Sequence, residues 1–371
     1  MKTIYADHAA TTMLSAKAKE AMLPWLWEEY GNPSTLYGLS QKPKKAILSS
    51  REKIAYAIGA ESDEIFFTSG GTEANNWALK GIVLSHKGGR IITSAIEHHA
   101  ILHTCEFLEE LGYEVIYLPA DEQGLVSPKD LRESITADTL LVSIMTANNE
   151  VGTIEPISDL ARIAHEYGVI FHTDAVQAVG HVSVDVNELG VDLLSASAHK
   201  FNGPKGIGFL YVRKGTNIEP LLHGGGQEFG MRAGTENVAG IVGMAAALEE
   251  HLPNLEYDAI MLEGFRAHLL SELDGLDFIV NGAENHIPGS VSISLKNIEG
   301  EMLLHRLDLM GIAIATGSAC NSREQVISHV VRAIGVPAQY ANGTIRITFG
   351  MDNDATQVER IAACLRKIIT S

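Results

Sequence analysis

Short apolar segments alternate with longer amphipathic ones between about residues 43 and 213. The apolar segments predict strands at 64–68, 90–94, 114–118, 140–146, 169–173, 192–197 and 207–212. Between most of them, the spacing of apolar residues predicts helices, among them 74–83, 100–111 and 157–167. Nearly continuous apolar strands that alternate with helices are typical of a mostly parallel sheet covered by helices on both faces. We therefore predict an α/β fold whose ligands bind beyond the carboxyl ends of the strands.

The pattern changes after a glycine-rich stretch at 224–226. A helix is predicted from about residue 237 to 251, and Pro253 followed by Asn254 marks a boundary. Beyond it, predicted strands at 278–280, 291–295 and 344–349 alternate with helices that include 301–310 and 357–369. We predict a large domain over residues 15–253, and a smaller α+β domain formed by residues 1–14 and 254–371.

Composition and charge narrow the classes of function. The 371 residues include 46 acidic and 28 basic ones, which give a formal net charge of −18. That acidity argues against a nucleic-acid groove, because phosphate binding requires clustered lysine and arginine. Three cysteines without paired metal spacing argue against a disulfide framework and a metal site, and favour a reducing compartment. Without a signal-type or membrane-spanning apolar run, we expect a cytoplasmic protein with no membrane partner.

The first candidate site is the TSGGTE segment at residues 68–73, where a predicted strand ends and a helix begins. Backbone amides at such a helix start, together with the Thr72 hydroxyl, form an anion site beside Gly71. A tight turn that uses glycine only for its geometry explains the segment equally well. The segment alone does not decide between these two interpretations.

Lys200 and Asp174 each follow a predicted strand of the same sheet. A lysine at that edge, made nucleophilic by desolvation and nearby positive charge, is suited to forming a Schiff base. A buried aspartate is costly unless it is paired, and a pyridinium N–H would stabilise its charge. The alternatives are a surface lysine and an aspartate that caps the next helix.

Many short motifs in this order resemble a known family. They are DHAATT (7–12), GNPS (31–34), TSGGTE (68–73), EH (97–98), NNEVG (148–152), DAVQ (174–177), SAHK (197–200), GGGQEFGMRAGT (224–235), GSAC (317–320) and IR (345–346). Together they resemble the cysteine desulfurases, pyridoxal-phosphate enzymes of fold type I in the class V aminotransferase group. The resemblance runs from about residue 4 to the carboxyl end.

This resemblance implies a role for each matching residue. Lys200 would hold pyridoxal 5'-phosphate and act as the base, while His98 would stack on the ring and shuttle protons. Asp174 would pair with the ring nitrogen. The remaining cofactor contacts would come from Gly71, Thr72, Asn149, Gln177, Ser197, His199 and, from a neighbouring subunit of a homodimer, Thr235. The substrate carboxylate would be bound by Arg346, with Asn32 as a second contact.

Cys320 decides which reaction of this group we expect. Its small, polar surroundings are typical of a loop, whereas Cys105 and Cys364 lie on amphipathic helices and suit burial. As a thiolate, Cys320 would take sulfur from L-cysteine as a persulfide and leave L-alanine. The sulfur would then pass to an acceptor protein for iron–sulfur clusters, tRNA thiolation or DNA phosphorothioation. Selenocysteine lyase, a transaminase with an incidental Cys320, and a non-catalytic scaffold are the alternatives.

Overall fold

The computed structural model describes residues 3–316 and 327–370. Its strands are β1 (Ile4–Tyr5), β2 (Ile65–Thr68), β3 (Arg90–Ser94), β4 (Glu114–Leu118), β5 (Thr139–Ser143), β6 (Ile170–Asp174), β7 (Leu193–Ser197), β8 (Gly208–Val212), β9 (Phe278–Val280), β10 (Ser290–Leu295), β11 (Ile312–Ala313), β12 (Ala315–Thr316) and β13 (Thr344–Thr348). Its α-helices are α1 (Ala16–Trp27), α2 (Gln41–Ala57), α3 (Gly71–Val83), α4 (His99–Glu110), α5 (Pro128–Ser134), α6 (Ile157–Glu166), α7 (Val186–Leu189), α8 (Val238–His251), α9 (Leu255–Glu272), α10 (Gly300–Asp308), α11 (His329–Ala333), α12 (Ala338–Ala341) and α13 (Ala355–Ile369).

The predicted central sheet has seven strands in the order β2-β8-β7-β6-β5-β3-β4. Neighbours from β7 to β4 pair in parallel, and β8 runs antiparallel to both β2 and β7. Every residue of β2, β7 and β8 is buried. Burial on both faces explains why these strands are continuously apolar in sequence, since helices cover each side.

Two hydrophobic cores cover the two faces of this sheet. One core gathers side chains of α2, α6 and α8, including Ile54, Leu160 and Met244. The other gathers side chains of α3 and α4, including Trp77 and Ile101. A parallel sheet between two helical layers is the architecture that the alternating pattern predicts.

The carboxyl-terminal part contains a separate four-stranded antiparallel sheet, in the order β12-β13-β10-β9. A distinct core joins this sheet to α9, α10 and α13 through Leu262, Leu303 and Leu365. Ile4 belongs to the same core, because β1 pairs in parallel with β11. These contacts agree with a small unit that takes in the amino terminus, and the domain boundaries themselves stay a prediction.

Strand β5 is shorter than the sequence predicts, ending at Ser143 rather than at residue 146. The backbone continues alongside β6, since Thr146 N still donates to Asp174 O over 2.9 Å. However, Met145 N donates to the Glu97 carboxylate over 2.9 Å instead of to a neighbouring strand. The Glu97 carboxylate therefore replaces the carbonyl of a neighbouring strand as the acceptor, and β5 ends early.

The longest helix in the described parts of the chain is α9, with 18 residues. Acidic residues Glu256 and Asp258 lie in its first turn, and Leu262 and Leu269 are its buried positions. Within residues 3–316 and 327–370, no helix combines the length and the apolar character needed to cross a bilayer.

Candidate active site

A cavity of about 290 Å³ lies at the carboxyl edge of the seven-stranded sheet, and we call it the lysine cavity. Five parallel strands, β2, β3, β5, β6 and β7, end in the segments that surround it. Its lining residues are Ala10, Gly71, Thr72, Asn75, His98, Met145, Asn149, Asp174, Val176, Gln177, Ser197, His199 and Lys200. Nine of the residues that the sequence analysis singles out thus line this one cavity, as expected at the carboxyl edge of a parallel sheet.

Asp174 is the last residue of β6 and only 4% exposed. Its carboxylate accepts hydrogen bonds from Asn75 Nδ2 at 2.6 Å and from Val176 N at 3.0 Å. The next helix, α7, begins at Val186, so Asp174 caps no helix. A buried carboxylate with two neutral donors retains acceptor capacity toward a positively charged ligand group in the cavity.

Lys200 ends a short 3₁₀ turn, Ala198–Lys200, that directly follows β7. Its Nζ donates to the carbonyl oxygens of Ala9 and Ala10, the second at 3.0 Å. These carbonyls belong to the amino-terminal segment, which is distant in sequence but crosses the edge of the sheet here. The lysine amine is therefore held inside the cavity rather than extended into solvent.

The amino terminus of α3 forms the opposite end of the lysine cavity. Its cap residue, Gly70, has φ 151°, a conformation that favours glycine, and has no side chain with which to cap the first turn. A Cβ at Gly71 would stand 2.6 Å from Val176 Cγ2, so glycine is required for this close approach. Backbone amides of the first helical turn, next to Thr72 and Ser197, suit an anion such as a phosphate.

His199 and His98 are both neutral at pH 7. Burial, with added repulsion from Lys200 and Lys205, lowers the pKa of His199 to about 4. The pKa of His98 is also lowered, chiefly by burial, although Asp174 opposes the shift. The Nδ1 atom of His98 accepts from Ala100 N at 3.1 Å, so Nε2 carries the proton of the neutral ring. His98 thus presents an N–H donor in a site lined by other polar groups.

Arg346, in the middle of β13, is 7% exposed and does not line the lysine cavity. It lies next to the lining of the cavity, since its Nη1 donates at 2.7 Å to the backbone oxygen of Asn149, which is a lining residue. Its Nη2 donates to Asp7 Oδ1 at 2.7 Å, an ion pair. Its Nε is buried without a hydrogen-bond partner among the described residues. The guanidinium therefore has donor capacity left over.

Two other predicted site residues, Thr235 and Asn32, do not line the lysine cavity, and a third, Cys320, is not among the described residues. Thr235 is exposed and lines a different pocket of about 210 Å³, beside Arg232 and Glu236. Asn32 uses its side-chain oxygen to accept from Ser34 N at 2.9 Å, and it does not line the lysine cavity. Cys320 falls outside the described residues. Its assigned role, like those of Thr235, Asn32 and Arg346, stays a prediction.

Sequence reasoning missed two partners of these residues. Asn75 supports Asp174 from within α3, and its polar side chain on a buried helical position, 1% exposed, was the available signal. Asp7 pairs with Arg346 across most of the chain length, and no local pattern links them. Cys105 and Cys364 lie in or against hydrophobic cores, as predicted.

Comparison with known proteins identifies the family. A model of the family described as aminotransferase class-V matches residues 4–361. The chain belongs to the aminotransferase class-V family. Cysteine desulfurase IscS of Dictyoglomus turgidum is 51% identical, over 99% of this chain and 95% of its own length. The family resemblance inferred from the motifs is thereby confirmed.

Solved structures of class-V relatives share the fold. A NifS-like protein superimposes with a TM-score of 0.94 at 39% identity, covering 99% of each chain. A structure described as SspA in complex with cysteine superimposes with a TM-score of 0.85 at 38% identity, covering 94% of this chain and 99% of its own. These matches confirm the α/β fold with a mostly parallel sheet.

Proposed function

We propose that this class-V protein is a pyridoxal-phosphate-dependent cysteine desulfurase, which converts L-cysteine to L-alanine and retains the sulfur as a persulfide on Cys320. The observation that carries the proposal is that buried Asp174 and Lys200 line the same cavity. The names of the relatives, cysteine desulfurase and a complex with cysteine, support the choice of reaction.

The residues of the lysine cavity fit pyridoxal 5'-phosphate. A pyridinium N–H matches the acceptor capacity of Asp174, and a phosphate matches the start of α3 at Gly71 and Thr72. Asn75 Oδ1 is buried without a hydrogen-bond partner in the described chain, which leaves an acceptor beside Asp174. The remaining contacts that we assign to the cofactor come from Asn149, Gln177, Ser197 and His199. When bound, the cofactor serves as an electron sink for charge released at the substrate Cα.

The protein's own groups then divide the proton transfers. Lys200 would hold the cofactor covalently, and its amine would take the proton from the substrate Cα. His98 presents its Nε2–H to the cavity and moves a second proton. Arg346 holds the substrate carboxylate through its remaining donor capacity, with Asn32 as a second contact. Because Arg346 is buried, its contact with a carboxylate is stronger than one at the surface.

Cys320 supplies the nucleophile for the sulfur. Its thiolate forms a bond to the substrate sulfur while the Cβ–S bond breaks, which leaves a persulfide and a three-carbon amino acid that becomes L-alanine after protonation. The sulfur passes next to an acceptor protein. Iron–sulfur cluster assembly, tRNA thiolation and DNA phosphorothioation are the destinations that we infer for it. A reducing, cytoplasmic setting suits this thiol chemistry.

We infer that the enzyme is a homodimer. Large apolar side chains are exposed near the start of the chain, with Trp27 at 84%, Tyr30 at 75% and Leu36 at 98% exposure. Large apolar side chains exposed to this extent favour a subunit interface over a free surface. Thr235, which does not line the lysine cavity of its own chain, would complete the phosphate site of the neighbouring subunit.

The decisive experiment treats the cofactor-loaded enzyme with L-cysteine, alkylates it and locates the additional sulfur by mass spectrometry. The wild type should carry it on the Cys320 peptide. Cys320→Ser should bind L-cysteine but form neither persulfide nor alanine, a loss far above the tenfold change that corresponds to about 1.4 kcal/mol.

Cys105→Ser and Cys364→Ser are the matched controls, and both should keep the chemistry while losing some stability. Sulfur on either of these residues, or normal turnover by Cys320→Ser, contradicts the proposed reaction. Alanine formed from L-cysteine by the wild type, without any persulfide on the protein, would indicate a different class-V activity.

A further inference from the structure

A second, smaller cavity of about 30 Å³ lies beside the turn that carries Lys200, and we call it the junction cavity. It is lined by polar side chains from distant parts of the chain, among them His8, His181, His251 and Asp258. The volume is too small for a substrate, but four titratable groups converge on it. Their partners show what this arrangement does.

Side chains around the junction cavity hold the backbone of the Lys200 turn. Thr12 donates both its N–H and its Oγ1–H to His199 O, each at 2.9 Å. Asn202 N donates to Thr12 Oγ1 at 2.7 Å. His181 Nε2 lies 2.8 Å from Lys200 O. The carbonyl of the lysine itself is thus bound by an imidazole.

The tautomer of His181 follows from this contact. A carbonyl oxygen only accepts, so Nε2 must carry a proton. The pKa of His181 is lowered to about 4, mainly by burial and next by repulsion from His251, while the hydrogen bond to the Lys200 carbonyl opposes the shift. The ring is therefore neutral at pH 7 and has its single proton on the atom that faces Lys200.

The backbone directly after Lys200 takes a conformation that few residue types adopt. Asn202 has φ 59°, in the left-handed region, which asparagine tolerates better than other non-glycine residues. Phe201 N and Gly203 N both donate to Ala198 O, which closes the turn tightly around Lys200. A turn of this kind keeps one conformation only when surrounding contacts define it. His181 and Thr12 supply two of these contacts.

We propose that His181 is a positioning residue for Lys200, whose Nε2–H fixes the Lys200 carbonyl and thereby aims the amine into the lysine cavity. The inference rests on the proposed function for the role of Lys200. His181 itself touches neither the substrate nor the cofactor, because it does not line the lysine cavity. Its effect passes entirely through the backbone of the turn.

The test compares His181→Leu, which removes the donor, with His181→Gln, whose Nε2 still donates. In the cofactor-free protein, amide hydrogen exchange at Phe201 and Gly203 should be about tenfold faster in His181→Leu, as expected for the loss of one hydrogen bond. After addition of pyridoxal phosphate, borohydride trapping at Lys200 should be slower by a similar factor. His181→Gln should restore both rates to within about twofold of the wild type.

His165→Leu is the control, because His165 is exposed and pairs with Asp192. It should leave both rates unchanged. Wild-type exchange and trapping in His181→Leu, or a His181→Gln variant as impaired as His181→Leu, would overturn the role of His181. A wild type that never binds pyridoxal phosphate would instead overturn the proposed function, while the exchange rates would still test His181.

A measurement on the wild type keeps the inference falsifiable if His181→Leu does not fold. Selective ¹⁵N labelling of histidine reports by NMR which ring nitrogen of His181 carries the proton at pH 7. The expected result is the neutral ring with its proton on Nε2. A proton on Nδ1 alone leaves Nε2 without a hydrogen to donate to Lys200 O, and that result overturns the proposal.

Discussion

The two sheets contribute to the active site in different ways. The seven-stranded sheet supplies groups from the ends of several parallel strands, including Asp174 after β6 and Lys200 after β7. The four-stranded antiparallel sheet carries Arg346, the proposed contact of the substrate carboxylate, in the middle of β13. Parallel strands share one carboxyl edge, whereas antiparallel neighbours point their ends in opposite directions. Several proposed site residues therefore lie together at the edge of the seven-stranded sheet, whereas, within the described residues, the four-stranded sheet provides only Arg346 among them.

The charged site residues of the two sheets also differ in the partners that they already have. Asp174 is buried with neutral partners, Asn75 Nδ2 and a backbone amide, so its negative charge is left for a ligand. Arg346 is already paired with a carboxylate, Asp7, at 2.7 Å. A cationic ligand group at Asp174 would pair with a carboxylate whose hydrogen-bond donors are both neutral. A ligand carboxylate at Arg346 would have to share the guanidinium with Asp7. We accordingly expect substitutions at the parallel sheet to have the larger effects.

The largest effect is expected for Lys200→Ala. It removes both the point of cofactor attachment and the proposed base, and loss of a positioned acid–base group costs about 10²–10⁴-fold in rate. The purified variant should lose the yellow absorbance of the enzyme and any borohydride-trappable adduct. Lys214→Ala, at an exposed surface ion pair with Asp63, is the control. A trappable adduct in Lys200→Ala shows that the lysine has been misassigned.

Asp174→Asn should have the next largest effect. The amide keeps the shape but loses the charge that would hold a pyridinium proton, and a hydrogen bond to a charged group is worth about 1.5–3 kcal/mol. We expect turnover to fall by roughly ten- to a hundredfold. The absorbance spectrum of the bound cofactor should change as well. Asn75→Ala, which removes only a neutral donor to Asp174, should cost less, and the reverse order would contradict the assignment.

The pH dependence of stability distinguishes the sheets without reference to activity. His172 in β6 is fully buried between Ser143 and Ser195, and burial lowers its pKa to about 3. The unfolded chain binds a proton near pH 6.5 that the folded protein excludes, so stability is lost as pH falls below that value. The free-energy advantage of the wild type over His172→Gln should shrink by about 2 kcal/mol between pH 7.5 and pH 5.

Denaturant unfolding across this pH range measures that difference. Leu194→Ala, a non-titrating change in the adjacent strand, is the control, and its free-energy cost should stay constant with pH. The strands of the four-stranded sheet contain no histidine, so no equivalent change is expected there. A constant difference for His172→Gln would show that the ring is charged in the folded protein.

Arg346→Lys should have the smallest effect of these changes. Lysine keeps the positive charge beside Asp7 but loses the planar fork that binds a carboxylate through two N–H groups. The KM for L-cysteine should rise about tenfold, which corresponds to 1.4 kcal/mol, with a smaller change in kcat. Arg366→Lys, on an exposed part of α13, is the matched control. An unchanged KM in Arg346→Lys would remove Arg346 from the substrate site.

The sequence predicts the lysine cavity well because its residues follow strand ends. Gly71, His98, Asp174 and Lys200 each lie within a few residues of a continuous apolar segment, and the parallel sheet places such positions together. Local patterns are sufficient to place these positions together, because the topology follows from the alternation of strands and helices, whereas their roles came from the family resemblance.

Positions that depend on long-range contacts were harder to predict. The pairing of Asp7 with Arg346 and the contact of His181 with Lys200 O are set by tertiary packing, and neither residue stands out by spacing. The early end of β5 had a similar cause, since the Glu97 side chain takes the Met145 N–H. In each case a side chain from a distant segment competes with the local pattern, and one sequence contains no record of that competition.

The pairing of β2 with β8 also affects the order in which the chain is able to fold. Ile65 of β2 lies opposite Tyr211 of β8, and Ile4 of β1 lies opposite Ile312 of β11. Strands β1 and β2 are therefore able to pair only after a strand that is synthesised much later. The strands from β3 to β7 pair with near neighbours and close shorter loops. We therefore expect a ribosome-bound chain that ends before residue 208 to hold a partial sheet without the turn at Gly71 in place. Binding of the proposed cofactor would then have to wait until β8 has been synthesised and has paired with β2.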